Sequence, residues 1–116
     1  MLRNLRVQDL MTHDVEAVQV DAPLSAVRDH LRRRSYHHMP IVDGQRLVGI
    51  LSVVDLARFS LDAYVLDSET VNAHLDAAFR LVDLLGEEPI TVYPDDPATR
   101  AAELLSEGAF HALPVV

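Results

Sequence analysis

Ser52 and Asp55, in Gly49-Ile50-Leu51-Ser52-Val53-Val54-Asp55, are the residues whose types and spacing best suit chemistry. A carboxylate can grip a vicinal diol such as that of a ribose, and a hydroxyl at a helix start suits a phosphate oxygen. A spacing of three sets the two side chains together at a helix entrance, with Gly49 allowing close backbone approach. The same Ser-x-x-Asp pattern also suits a capping box, in which each side chain satisfies the other residue's backbone N–H. Both readings stay open, and the two roles can coexist. His37 and His38 precede the run Met39-Pro40-Ile41-Val42, where an imidazole can meet an anion or simply pack against the preceding helix. A flat base such as adenine needs an apolar slot, which Val15-Glu16-Ala17 and Met39-Pro40 could provide, although the same residues suit core packing equally well.

The elements that must hold these residues arrive in unbroken succession. Ile41 and Val42 lead into Asp43-Gly44, whose tolerance of positive φ suits a tight hairpin turn, and Leu47 to Leu51 return as a second strand. Ser52 then stands where an N-cap is wanted, and Leu56 and Phe59 begin an apolar helical face. Upstream, Val7 to Met11 reads as a short helical lead-in and Val15 to Val20 as a strand. Asp21 suits a helix cap and Pro23 a first turn, and Leu24, Val27 and Leu31 recur at helical spacing until Arg32-Arg33-Arg34. Downstream, Ala57 to Arg80 reads as helical, with Val71, Leu75, Phe79 and Val82 on one face and a break into two helices at Asp67-Ser68.

The same order of signals returns 74 residues later, pairing Val7 to Val42 with Leu81 to Val116. Identical pairs include Asp9/Asp83, Val18/Val92, Asp21/Asp95, Pro23/Pro97, Leu31/Leu105, His37/His111, Pro40/Pro114 and Val42/Val116, and apolar pairs include Tyr36/Phe110 and Ile41/Val115. Caps, helix face and strand entry recur together, so the chain holds two copies of one supersecondary unit. The second copy stops just after its strand entry. A sheet lacking the return strand has an open apolar edge, and the expectation is that further chain or a partner covers it.

Composition narrows the function classes. With 116 residues, 49% of them hydrophobic, the chain can close a core. A net charge of −8, from 18 acidic against 10 basic residues, repels a nucleic-acid backbone. The cluster Arg32-Arg33-Arg34 complements the dipole at a helix end, leaving a phosphate-facing role as the lesser alternative. No apolar run is long enough to span a bilayer and no signal-peptide core is present, so a cytoplasmic location and no membrane partner are expected. The absence of cysteine excludes disulfides and thiolate metal sites, and the six histidines lack metal-ligand spacing, so no structural metal is expected.

Two copies of β-α-β-β-α, with Met-Pro-Ile-Val-Asp-Gly before a hairpin and Gly-Ile-Leu-Ser-Val-Val-Asp after it, resemble a CBS domain pair, the Bateman module. Asp9-Leu10-Met11-Thr12 matches the family's opening segment, and Val18-x-x-Asp21-x-Pro23-Leu24 its strand-to-helix junction. The resemblance implies an α+β fold of tandem CBS repeats forming one pseudo-symmetric module. Residues 1–60 are then the first repeat, 61–80 a helical connector, and 81–116 the second repeat without its C-terminal half. It also implies a non-catalytic regulatory module of the stand-alone kind that binds AMP, ADP, ATP or S-adenosylmethionine in a cleft between the repeats. A homodimer and an unidentified regulated protein are the implied partners. By this resemblance Asp55 holds the ribose hydroxyls and Ser52 a phosphate oxygen, and His38, with His37 beside it, is a basic phosphate contact. Val15, Ala17, Met39 and Pro40 are then the adenine edge. The second copy's site is less complete, since Gly86 replaces Thr12 and Glu87-Glu88 adds negative charge.

Two other functions compete. A dimerising interaction module without ligand binding fits the incomplete second copy and its acidic pair. A small hydrolase using Ser52 fits poorly, because no Gly-x-Ser-x-Gly elbow is present.

Overall fold

Met39 and Ile41 alternate with more polar or turn-directed neighbours, and a glycine follows Asp43, so a hairpin is dictated locally. The computed structural model describes residues 4–34, 36–59, 67–108 and 112–116. In chain order it contains α1 (Val7–Leu10), β1 (Val18–Gln19), α2 (Leu24–Arg34), β2 (His38–Asp43), β3 (Arg46–Ser52) and α3 (Val53–Phe59). There follow α4 (Ser68–Ala78), a short 3-10 helix (Leu81–Leu84) and α5 (Ala98–Ser106). The fold is α+β, with one three-stranded sheet of order β1-β2-β3, its first pair parallel and its second antiparallel.

By packing, the chain divides into two units, residues 16–88 and residues 1–15 with 89–116. In the first, Leu24, Val27 and Leu31 from α2 meet Val18, Met39, Ile41 and Leu51 from the sheet. Leu56, Val71, Leu75 and Leu81 complete this cluster. Each such side chain removed from water contributes about 1.5–3 kcal/mol, so this cluster dominates what holds the unit together. The hairpin turn is fixed by Gly44 at φ 65° and by the Gln19 amide. That amide donates to the Gly44 carbonyl at 3.2 Å and accepts from the Gly44 N–H at 3.0 Å. The α2 and α4 helices are tied by polar side chains. Asp76 accepts from the Ser25 N–H at 2.8 Å and from its hydroxyl at 2.6 Å. Asn72 bridges Arg28 at 2.9 Å and Asp29 at 3.1 Å, and Arg32 donates to the Ser68 hydroxyl.

The second unit joins α1 to the body of the second copy. The Val7 N–H donates to the Asp96 carbonyl at 2.8 Å, Gln8 to Pro94 at 2.9 Å, and Ala98 to Leu5 at 2.9 Å. Val92 bridges Val115 in parallel fashion, the counterpart of Val18 pairing with Ile41. The 74-residue offset thus holds in three dimensions. It maps α1 onto the 3-10 helix at Leu81–Leu84, α2 onto α5, and one parallel pairing onto the other. Each packing unit therefore takes the lead-in of one copy and the body of the other.

Several local expectations are revised. The strand read over Val15 to Val20 is regular only at Val18–Gln19. Helix α2 starts at Leu24, past Asp21, and Asp76 of α4 satisfies the amide of its second residue. The break at Asp67-Ser68 is observed, with the Asp67 carboxylate capping α4 through the Thr70 N–H at 2.7 Å. Residues 60–66 of the stretch read as helical lie outside the described residues, as do Phe110 and His111 of the repeat pairs. Val71 and Leu75 are buried in the core and Phe79 packs against it from just past the helix end, whereas Val82 does not join them. Phe79 leaves helical geometry at φ −136° and ψ 143°, and Val82 is 49% exposed.

Candidate functional site

The site residues of the first copy collect at the β3–α3 junction because of strand register. His38 pairs directly with Ser52, and Pro40 with Ile50. Directly opposed residues share a face, so His38, Pro40, Ile50 and Ser52 lie on one side of the sheet and Met39, Ile41 and Leu51 on the core side. Burial agrees with this, since Met39 and Ile41 are fully buried whereas the residues on the other face are partly exposed. Continuing the pairing of Val18 with Ile41 one residue back sets exposed Ala17 beside Pro40. Strand alternation in the sequence was the available signal for Ile50, two residues before Ser52 on the same face.

At the junction itself Ser52 and Asp55 form a reciprocal box. The Ser52 N–H donates to Asp55 Oδ2 at 2.9 Å, and the Asp55 N–H donates to Ser52 Oγ at 3.0 Å. The Val53 N–H donates to the His37 carbonyl at 2.9 Å, so the start of α3 is satisfied from within the fold. The capping reading is therefore geometrically real. It uses Ser52 Oγ as an acceptor and one carboxylate oxygen, while the serine hydroxyl hydrogen and Asp55 Oδ1 take no part in the box. One donor and one charged acceptor are thus held side by side, with His38 opposite.

The other candidates divide. The His37 side chain is exposed beside the junction. The Met39 side chain is buried in the core at 0% exposure, so only its backbone can face a ligand. Val15 is 50% exposed and belongs to the other packing unit. Gly49 serves a close approach made by a side chain of the same unit: a Cβ there would stand 2.6 Å from Leu85 Cδ2.

The basic cluster at the end of α2 is largely engaged. Arg34 pairs with Glu16 at 2.8 Å, Arg32 donates to Ser68, and Arg33 Nε donates to the Asp29 carbonyl at 3.4 Å. Arg32 and Arg33 line a shallow surface depression of about 630 Å³ with Asp29. Burial, and the neighbouring Arg32 charge after it, lower the pKa of Arg28 from its ordinary value. Sequence reasoning missed the anchoring of Glu16, because its partners lie on the next helix. Among the described residues no cluster of His, Asp and Glu is arranged to hold a metal ion. Among them too, no helix is long and apolar enough to cross a membrane.

Comparison with known proteins gives a match to the CBS domain over residues 7–62 and 81–116. An uncharacterised protein of Methanocaldococcus jannaschii, MJ1225, is 25% identical over 111 residues, which is 95% of this chain. The chain spans only 37% and 40% of the lengths of two curated relatives that it matches. The structure is similar to that of CBSX2 in complex with AMP, with TM-score 0.72 and 26% identity over 96% of this chain and 81% of that one. It is also similar to the CBS domain pair of MJ0100 in complex with 5′-methylthioadenosine and S-adenosyl-L-methionine. There the TM-score is 0.75 at 21% identity, over 97% of this chain and 80% of that one. A mixed fold built on one repeated unit and a family match over both copies lead to one conclusion: the chain belongs to the CBS domain family.

Proposed function

We propose that this chain is a non-catalytic regulatory module that binds an adenosine-containing ligand, AMP, ADP, ATP or S-adenosylmethionine, at the β3–α3 junction. Asp55 Oδ1 would accept from the ribose hydroxyls and the Ser52 hydroxyl would donate to a phosphate or equivalent oxygen, with His37 and His38 as basic neighbours. Ala17, Pro40 and the backbone of Met39 would border the base. The observation that carries this reading is the reciprocal box, which orients both side chains and leaves one donor and one charged acceptor over. Family membership and the AMP complex of CBSX2 support it. The module would act in the cytoplasm as a homodimer, biasing a regulated partner through different ligand affinities of two conformations. The absence of cysteine fits that compartment.

A second reading, a dimerising interaction module without ligand, is favoured by the same box, since capping alone accounts for both residues. A thermal-shift panel of AMP, ADP, ATP and S-adenosylmethionine, with GTP as control, separates the two. On the first reading, ligand at a hundredfold its dissociation constant adds about 2.7 kcal/mol of stability. Asp55→Asn, which keeps a capping acceptor but loses the charge, removes that gain while leaving the unliganded melting point near wild type. A panel that is flat for the wild-type chain rejects ligand binding and leaves the interaction module.

A further inference from the structure

We propose that Glu16 is a positioning residue that holds the Ala17 edge in place for the ligand, a role that rests on the adenosine-binding reading above. Its carboxylate spans two successive turns of α2, accepting from Arg34 at Oε1 (2.8 Å) and meeting His30 Nδ1 at Oε2 (2.9 Å). His30 and Arg34 lie four residues apart, so one side chain reaches both from a single point. Glu16 and His30 are about one-third exposed, at 30% and 31%, which shields the bond more than the remaining surface pairs of this unit are shielded.

Strand alternation gives this clasp its consequence. Glu16 points to the same side of the sheet as Val18, the side covered by α2, and Ala17 points to the opposite side, toward Pro40 and the Ser52 face. Ladder pairing begins only at Val18, because β1 is two residues long. Just upstream, Asp14 adopts a left-handed backbone at φ 54°. Residues 16 and 17 are therefore outside regular pairing, and the carboxylate anchors them from behind the surface they present.

The experiment compares the wild-type chain with Glu16→Ala, Glu16→Gln and Arg34→Ala by amide hydrogen exchange and by calorimetric titration with AMP. Glutamine can accept from Arg34 and donate to the other tautomer of His30, so it restores both bonds without the charge. The expected result for Glu16→Ala is exchange at Val18, and at Val20, whose N–H donates to the Val42 carbonyl, faster by about tenfold or more, with Ile41 and Leu51 unchanged. Its AMP dissociation constant should rise about tenfold, the effect of losing an anchoring hydrogen bond to a charged group. Glu16→Gln should stay within about threefold of wild type in both readouts. Arg34→Ala should fall between them, and it carries the test if Glu16→Ala does not fold. Unchanged exchange at Val18 and Val20 in Glu16→Ala overturns the clasp. Faster exchange with unaltered AMP affinity overturns its role toward the ligand. If the wild-type chain itself binds no AMP, the functional reading fails, and the exchange arm alone then decides whether Glu16 holds this edge.

Discussion

Substituting Gly49 by alanine is the sharpest probe of how the sheet is covered. Gly49 is buried on β3, paired with Ile41, and an added Cβ would sit 2.6 Å from Leu85 Cδ2, 3.3 Å from Cγ and 3.4 Å from Cδ1. Ordinary carbon contacts lie at about 3.5–4.0 Å, so Leu85 must retreat by about 1 Å or change rotamer within a packed cluster. Overpacking of this kind costs about 1–3 kcal/mol. The loss of glycine's unfolded-state freedom offsets about 0.4–1 kcal/mol of that, since the backbone at position 49 lies outside the left-handed region. The net expectation is destabilisation by about 1–2 kcal/mol, or a melting point lower by about 4–10 °C. The assay is a double-mutant cycle by urea denaturation with Leu85→Ala, which removes the obstructing carbons. Gly49→Ala should cost little or nothing in the Leu85→Ala background, a coupling of about 1 kcal/mol or more. Equal costs in both backgrounds would refute the argument that Leu85 is what requires glycine at this position.

Three further outcomes follow from other contacts. Asp76→Ala leaves the start of α2 without its acceptor and should lower stability by about 1–2 kcal/mol in urea denaturation, whereas a change under about 0.5 kcal/mol would contradict the cross-helix cap. Gln19→Ala should cost about 1 kcal/mol and speed amide exchange at Gly44; unchanged exchange there would mean that the turn stands without it. Asp67 is held below the ordinary aspartate value of 3.8 by the backbone N–H, and then the hydroxyl, of Thr70. Its contribution to α4 is therefore complete above that pH and is lost as pH falls through the lower folded value. Asp67→Asn should remove this step from an acid titration of helicity, and a carboxyl that titrates at 3.8 or above by NMR would refute it.

The repeat was legible because it is written in local signals, namely caps, a helical face and a strand entry, at one constant offset. The structure returns that offset as the paired bridges Val18 with Ile41 and Val92 with Val115. The hairpin was legible for the same reason, since Asp43-Gly44 between apolar runs specifies a turn on its own. Ser52 and Asp55 were legible as a pair with two readings, of which the structure shows the capping box, and local pattern could not choose between them because one geometry can serve both. What escaped the sequence is long-range. Asp76 caps a helix 51 residues away, and Leu85 is the reason for Gly49. The apolar period running through Val82 continues in sequence after the backbone has left the helix at Phe79. Arg80 grips Asp83 at 3.0 and 3.2 Å across the 3-10 turn that follows, and Leu81 takes the buried position in place of Val82. Likewise β1 is short because pairing covers only Val18 and Gln19, although the β-branched run begins at Val15.

The central claim, that an adenosine ligand meets this chain at the β3–α3 junction, is tested most directly by amide chemical-shift mapping with AMP. The account predicts saturable shifts concentrated at Ile50 to Leu56, at His37 to Met39 and at Ala17. Millimolar AMP that moves no amide, or that moves only amides of α2 and α4 away from this face, would contradict it.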